Sequence, residues 1–305
     1  MNGIGHSSIV PWGAPARHRV RLAVGGVGTS FPVPGMLSEP PAMSAAVRGV
    51  ITSVDELRAY NGGVKPQPSR EALLSLLQPG PVHPCPYLPG RLAREQVGLL
   101  SVMDAVDYEW LLARGFRRSG DIVYRPACAG CGECVPMRVP VAGFTPSRSQ
   151  RRSLRRNADV RVEITPPVSD DERWTIYRAY MRAVHGRDDD EREGFESTLY
   201  QSPVETVEFA YRVGRRLIGA GLVDVLPDSL SSVYFYYDPS ESRRSLGVFS
   251  ALCEIAECRR RGLTYWYIGY YIRDCTAMNY KNQYRPHETF GPDGVWRQPA
   301  SSTTG

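Results

Sequence analysis

The hydrophobic and polar pattern is clearest in the second half of the chain. Residues 205–213 read as a strand, Gly214-Arg215 as a turn, and residues 216–226 as another strand. Pro227-Asp228-Ser229 makes a second turn, and residues 231–237 form a third, aromatic strand. Ser245 is expected to cap a helix running to about Arg261, which Gly262 ends. Residues 264–270 then read as a fourth strand. Three antiparallel strands, a helix and a further strand make a β-β-β-α-β unit.

The first half is sparser. Order is expected to begin near Cys85. Residues 107–114 suggest a short helix closed by Gly115, and Ile122-Val123-Tyr124 a short strand stopped by Pro126. Residues 139–141 follow a group of cysteines. Residues 147–157 read as a helix capped by Ser147, with Leu154 its one clear apolar position. Residues 160–164 alternate as a strand does. Residues 170–185 are amphipathic, with Trp174, Tyr177, Met181 and Val184 spaced by three and four. Asp170 and Asp171 suit that helix's positive N-terminus.

Residues 1–50 show neither period. They hold eight glycines and six prolines with a single acid, Glu39. Gly25, Gly26, Gly28, Pro32 and Pro34 break their faintly apolar stretch, so no signal-peptide core forms. The expectation is a disordered tail, or sequence upstream of a start at Met36 or Met43. Asn61 to Ser69 reads as another loop, and residues 298–305 as a disordered end. Between these lie an N-terminal lobe, 51–165, and a C-terminal lobe, 166–297.

Composition narrows the classes. With 42% hydrophobic and 23% charged residues, the 305-residue chain can bury a full core, which argues against a wholly disordered or fibrous protein. No apolar run approaches the roughly 20 residues of a membrane span. Seven cysteines are too few for a disulfide scaffold and odd in number. A cytoplasmic protein with free or metal-bound thiols fits better.

The formal charge of +5 conceals a segregation. Residues 114–161 carry eleven arginines against three acids, a net +8, whereas residues 170–196 carry nine acids against five arginines, a net −4. On the helix expected at 147–157, Arg148, Arg152 and Arg155 share a face, as do Arg151 and Arg155, and Arg156 extends the charge. Like charges so spaced repel by a few tenths of a kcal/mol per pair. A polyanion would relieve that repulsion, and RNA is favoured over DNA because guanidinium planes also stack on exposed bases. The competing reading is a solvated face in an arginine-rich proteome: of 37 basic residues only Lys65 and Lys281 are lysine.

Cys128, Cys131 and Cys134 read C-A-G-C-G-E-C, with Cys85 available as a fourth thiol. An iron–sulfur cluster, a zinc ion and a set of free thiols all remain open. The usual continuation of a ferredoxin loop is missing, and so is the second cysteine pair of a structural zinc site. Cys253 and Cys258 have the spacing of inert core positions.

A longer series of motifs carries a resemblance. Cys85-Pro86-Tyr87-Leu88-Pro89, Gly115-Phe116-Arg117-Arg118-Ser119-Gly120, Tyr124-Arg125-Pro126, the cysteine triple, and Ser147-Arg148-Ser149-Gln150-Arg151-Arg152 with Asn157 resemble the bacterial aminoacyl-tRNA–protein transferases. Leu230-Ser231-Ser232-Val233-Tyr234, Ser245-Leu246-Gly247, Gly269-Tyr270-Tyr271-Ile272 and Met278-Asn279-Tyr280-Lys281 continue it. The series is most similar to the aspartate/glutamate leucyltransferases, which are related to arginyltransferases. The resemblance implies an α+β fold of two GNAT-like mixed-sheet lobes, in agreement with the β-β-β-α-β unit. It implies transfer of leucine, or alternatively arginine, from tRNA to a protein beginning with Asp or Glu. That product enters the N-degron pathway. A coenzyme-A-dependent acetyltransferase is a rival, but no pyrophosphate loop precedes Gly247. An RNA-binding iron–sulfur protein is another.

The implied chemistry needs no cofactor and no covalent enzyme intermediate. The donor is an activated ester, and the nucleophile is an α-amine with pKa about 7.7–8.0. Roughly a tenth is neutral at pH 7, so deprotonation costs only about 1.3 kcal/mol. Orientation contributes about 7–11 kcal/mol and therefore dominates. Roles follow from charge. Arg148, Arg151, Arg152, Arg155 and Arg156 would hold tRNA phosphates, and Ser245 and Gly247 the tRNA 3′ end. Lys281 and Arg285 would meet the acceptor carboxylate, and Asp224 would hold its α-ammonium or accept its proton. Tyr234, Tyr270 and Tyr280 would line the site. Partners would then be aminoacyl-tRNA and proteins with N-terminal Asp or Glu, without DNA or a membrane.

Overall fold

The computed structural model describes residues 70–100, 103–188 and 191–299. The expectations for residues 1–50, for the loop before Ser69 and for residues 300–305 therefore lie outside the described residues. One helix, α1 (Arg70–Ser75), falls in a unit of its own; the described residues from Leu77 onward form a second, compact unit. Structure thus begins before Cys85. Strand β1 (Gln78–Pro79) is too short to show a period and exists because it pairs with β4 (Glu95–Leu99). Between them β2 (His83–Pro84) and β3 (Leu92–Ala93) form a small hairpin.

Helix α2 (Ala105–Leu112) starts two residues earlier than its sequence suggests. Asp104 caps it, its carboxylate accepting the Asp107 amide at 2.8 Å. Gly115, at φ +82°, terminates the turn as expected, and Pro136 Cγ would lie 2.7 Å from any Cβ placed there. Strands β5 (Arg117–Ser119) and β6 (Ile122–Pro126) complete a four-stranded antiparallel sheet in the order β1-β4-β6-β5.

The remaining strands make one eight-stranded sheet. They are β7 (Val135–Pro140), β8 (Val160–Thr165), β9 (Thr206–Val213), β10 (Arg216–Val225), β11 (Ser229–Tyr237), β12 (Tyr265–Tyr271), β13 (Glu288–Phe290) and β14 (Trp296–Arg297). Their order is β14-β13-β7-β12-β11-β10-β9-β8, so strands from both sides of residue 165 share it. Helix α3 (Arg148–Arg156) joins β7 to β8, and Ser147 with Gln150 makes its capping box. Helices α4 (Asp171–His185) and α5 (Arg192–Phe195) precede β9, and α6 (Leu246–Arg260) joins β11 to β12. Helix α7 (Thr276–Asn279) precedes β13.

The sheet buries both faces. Phe209, Tyr211, Phe235 and Trp266 pack with Leu246, Phe249 and Ile255 of α6 on one face. Ala210, Leu222, Tyr234 and Tyr236 pack with Tyr177, Tyr180 and Met181 of α4 on the other. The expected unit is present: β9, β10 and β11 are antiparallel, and β12 returns parallel to β11 after α6. This is an α+β protein with a GNAT-like order of elements. Among the described residues no helix is long and apolar enough to cross a membrane.

Candidate active site

The parallel pair β11–β12 is joined only over Ser229–Ser231 and Tyr265–Tyr267. Both strands continue, β11 to Tyr237 and β12 to Tyr271, so they diverge beyond Ser231. Helix α6 crosses this gap. The resulting cavity is lined by Ser232 from β11, Trp266 and Ile268 from β12, Gly247, Ser250, Ala251 and Glu254 from α6, and Tyr280 and Tyr284 beyond α7. The cavity is small, about 20 Å³, room for roughly one water molecule, and it opens to solvent.

Ser245 departs from its expected role. It sits at φ 56° in the left-handed region and makes no side-chain cap on α6. Its hydroxyl instead accepts Arg156 Nη1 at 3.2 Å, and its carbonyl accepts the Ser153 hydroxyl at 3.4 Å. Arg156 also donates to the Arg243 carbonyl at 2.6 Å, and Asn157 to the Arg244 carbonyl at 2.9 Å. The arginine helix is thereby fastened to the start of α6, two residues from Gly247 at the cavity. Arg148, Arg151, Arg152, Arg155 and Arg156 are all exposed. Among the described residues none pairs with a carboxylate; Arg151 donates to the Pro146 carbonyl at 2.6 Å.

Of the other residues singled out in the sequence, the cavity gathers Gly247 and Tyr280. Tyr234 lies on the opposite face, its hydroxyl directed at Met181 Sδ, 3.5 Å away. Tyr270 donates to the Gly115 carbonyl at 2.7 Å, away from the cavity. Two bulges account for this. The β10–β11 register slips so that Val233 has no partner, and the β12–β7 register slips at Ile268. Each inserted residue reverses the alternation of faces that follows it, so Tyr234 leaves the face of Ser232, and Tyr270 that of Ile268.

Asp224 is buried with both oxygens engaged. Arg118 Nε and Nη2 reach Oδ2 and Oδ1 at 2.8 and 2.6 Å, and the Thr206 hydroxyl donates to Oδ1 at 2.8 Å. Lys281 is 3% exposed, and its Nζ donates to the Tyr270 carbonyl at 2.8 Å. Burial, reinforced by the nearby Arg117 guanidinium, lowers its pKa to about 7. Both cations sit beneath Gly269, whose φ of +96° only glycine adopts without strain; an added Cβ would meet Nζ at 3.4 Å. Arg285 is exposed, and its Nε donates to the Asn282 carbonyl at 3.3 Å.

Sequence reasoning missed Ser232, Ser250, Glu254, Trp266, Ile268 and Tyr284. One signal was available: Gly247, Ser250, Ala251 and Glu254 fall on one helical face, and Glu254 is an acid on the side that must be buried. Burial raises its pKa to about 7.

The four thiols of Cys85, Cys128, Cys131 and Cys134 lie near one another. Burial and then the other three thiols push the Cys134 pKa up to about 12. Yet their sulfurs engage local groups. Cys128 Sγ accepts the Arg94 amide at 3.4 Å, Cys85 Sγ the Leu88 amide at 3.4 Å, and Cys131 Sγ Arg91 Nη1 at 3.6 Å. Among the described residues no group of three or more His, Cys, Asp and Glu side chains is arranged to hold a metal ion. Of the three readings left open, an iron–sulfur cluster or a zinc ion therefore finds no fitting donor set among the described residues. Cys253 and Cys258, as expected, are core thiols whose pKa values burial raises to about 12 and about 11.

Comparison with known proteins agrees with the motif series. Residues 83–152 match the family model described as arginine-tRNA-protein transferase, N terminus, and residues 172–291 match its C terminus counterpart. The aspartate/glutamate leucyltransferase of Pseudomonas paraeruginosa is 44% identical over 216 residues, covering 68% of this chain and 90% of that protein. That of Thiobacillus denitrificans is 42% identical over 217 residues, covering 70% and 90%. Among solved structures, FemX is 10% identical with a TM-score of 0.36, covering 69% of this chain and 84% of that one. The chain belongs to the aspartate/glutamate leucyltransferase family and is an aminoacyltransferase.

Proposed function

We propose that this chain transfers leucine from Leu-tRNA to the N-terminal Asp or Glu of proteins, in the cytoplasm, and that the products are directed to degradation. The observation that carries this reading is the fastening of an arginine helix without carboxylate partners among the described residues to the start of α6, beside the cavity, through Arg156, Ser153 and Asn157. Phosphates on Arg148, Arg151, Arg152 and Arg155 would bring a tRNA 3′ end to Gly247 at the start of α6, where helix N–H groups favour an anion.

The reaction then needs mainly placement. The acceptor nitrogen attacks the ester carbonyl carbon, a C–N bond forms, and the bond to the ribose oxygen breaks. The amine proton leaves with the ribose hydroxyl or passes to solvent. Since deprotonating the amine costs only about 1.3 kcal/mol at pH 7, geometry accounts for most of the rate. In this reading Arg285 supplies the exposed cation for the acceptor carboxylate. Lys281 holds the Tyr270 carbonyl from below, and Asp224 orders Arg118 and β10. Tyr280 lines the cavity.

The test offers labelled Leu-tRNA, Phe-tRNA and Arg-tRNA to reporter proteins starting with Glu or Ala. Leucine should pass to the Glu reporter alone. Transfer to neither reporter refutes the activity, and equal transfer to both refutes the acceptor preference. Preference for the arginyl donor would replace leucine by arginine.

A further inference from the structure

One departure from ordinary backbone geometry lies between the arginine helix and the cavity. Among the described residues, Ser245 is the one residue other than glycine with a positive φ. Its φ of 56° and ψ of 48° place it in the left-handed region. The Cβ of an L-residue crowds the following carbonyl oxygen there, so serine adopts that conformation only where its surroundings impose it. Its own side chain does not impose it, since it makes no cap on α6. A 3₁₀ turn, Pro239–Arg244, ends on one side of Ser245, and α6 begins on the other.

The constraint comes from α3. The carbonyls of Arg243, Arg244 and Ser245, three in a row, each accept a hydrogen bond from its last turns. Arg156 Nη1 donates to the first at 2.6 Å, Asn157 Nδ2 to the second at 2.9 Å and the Ser153 hydroxyl to the third at 3.4 Å. Arg156 Nη1 also reaches Ser245 Oγ at 3.2 Å. Asn157 and Ser153 are buried, and Arg244 is tied a second time, to Asp159 at 2.8 and 2.9 Å.

We propose that Arg156, with Ser153 and Asn157, is a positioning residue. It holds Ser245 in the left-handed conformation that aims the first turn of α6, and with it Gly247, at the donor end. This role rests on the proposed transfer. It sets Arg156 apart from its neighbours: its guanidinium is committed to Arg243 and Ser245, whereas Arg148, Arg151, Arg152 and Arg155 remain for phosphates. Without Arg156 the tRNA still binds, but Ser245 relaxes toward an ordinary φ, α6 starts in another direction, and the ester is misplaced.

The experiment is a double-mutant cycle. Glycine adopts a positive φ without strain, so Ser245→Gly supplies from within the backbone what Arg156 supplies from outside. With leucyl-tRNA and a Glu-starting reporter, Arg156→Ala should lower kcat about tenfold in the Ser245 background and less than about twofold in the Ser245→Gly background. In both backgrounds Arg156→Ala should leave KM for leucyl-tRNA, and the slope of log tRNA affinity against log salt, unchanged. An equal loss of kcat in the two backgrounds overturns the inference, as does no loss in either. A salt slope flattened by about 0.7–0.9 on Arg156→Ala shows a lost phosphate contact and overturns it too. Thermal unfolding without substrate repeats the cycle independently of the transfer. There Arg156→Ala should lower the midpoint clearly more in the Ser245 background than in the glycine background, and equal shifts overturn the clamp. If the unaltered protein transfers no leucine while the unfolding cycle holds, the proposed activity falls and the clamp stands.

Discussion

Asp224 and Glu254 are both acids buried to 1% exposure or less within one sheet-and-helix unit, and they stand in opposite electrostatic situations. Asp224 meets Arg118 through two charge-assisted hydrogen bonds and Thr206 through a third. Among the described residues Glu254 accepts from neutral donors, Ser250, Trp266 and Ser232, and feels the Arg117 charge without contact. Burial costs both groups their water, and only one receives a counter-cation. The matched acid behaves as part of the scaffold. The unmatched one is held near its neutral form, with a pKa raised to about 7, at the wall of a cavity. Burial alone therefore does not fix the state of a buried acid; the presence of a cation in contact does.

The comparison can be broken by four measurements. The largest effect belongs to Asp224→Asn, which leaves the Arg118 guanidinium buried and unpaired. Unfolding free energy should fall by about 3–5 kcal/mol in chemical denaturation. A loss below about 1 kcal/mol would mean that the pair contributes nothing beyond its volume. Next comes the pH dependence of Glu254→Gln. The folded pKa of Glu254 lies above the ordinary 4.5, so its contribution is fully favourable below that value and is lost as pH rises through about 7. The unaltered protein should lose up to about 3 kcal/mol relative to the variant between pH 4.5 and 7. Parallel stability curves would show that some cation already matches Glu254.

Two smaller tests sharpen the contrast. Gly269→Ala places a Cβ above Lys281 Nζ at a φ of +96°, and should cost about 1–3 kcal/mol of stability. No change in melting would refute the strain. The double reversal Arg152→Glu and Arg155→Glu touches exposed charges, for which no desolvation was required. Stability should move by no more than about 0.5 kcal/mol. The slope of log affinity for tRNA against log salt should flatten by about 0.7–0.9 for each phosphate that is no longer neutralised. An unchanged slope would remove the phosphate role.

How much of this was legible depends on range along the chain. The strands at Thr206–Val213 and Arg216–Val225 and the helix at Arg148–Arg156 fall within a residue or so of their sequence-based bounds. Gly214, Pro227 and Ser147 mark their ends by local backbone chemistry. Strand β1, two residues long, carries no such mark and owes its existence to β4, with Gln78 opposite Val97, whereas the three-residue β5 is held by its hairpin neighbour β6 across Gly120. The site suffered from the same dependence. Tyr234 and Tyr270 occupy positions that simple alternation assigns to the cavity face, and single-residue slips at Val233 and Ile268 turn them away. Glu254 is marked in the sequence only by its place on the buried side of its helix, and what it meets there is decided by the sheet that α6 covers.

The sequence by itself determined the order of elements, the segregation of +8 in residues 114–161 from −4 in residues 170–196, and the family motifs. These follow from short-range periodicity, capping and residue identity. Only the tertiary structure decided which buried charges are matched and where the two strands part. Arg118 and Asp224 are 106 residues apart, and Arg117 and Ser231 are 114 apart, yet each pair is in hydrogen-bond contact. An electrostatic partner is chosen by distance in space and by local dielectric, and both are properties of the folded chain.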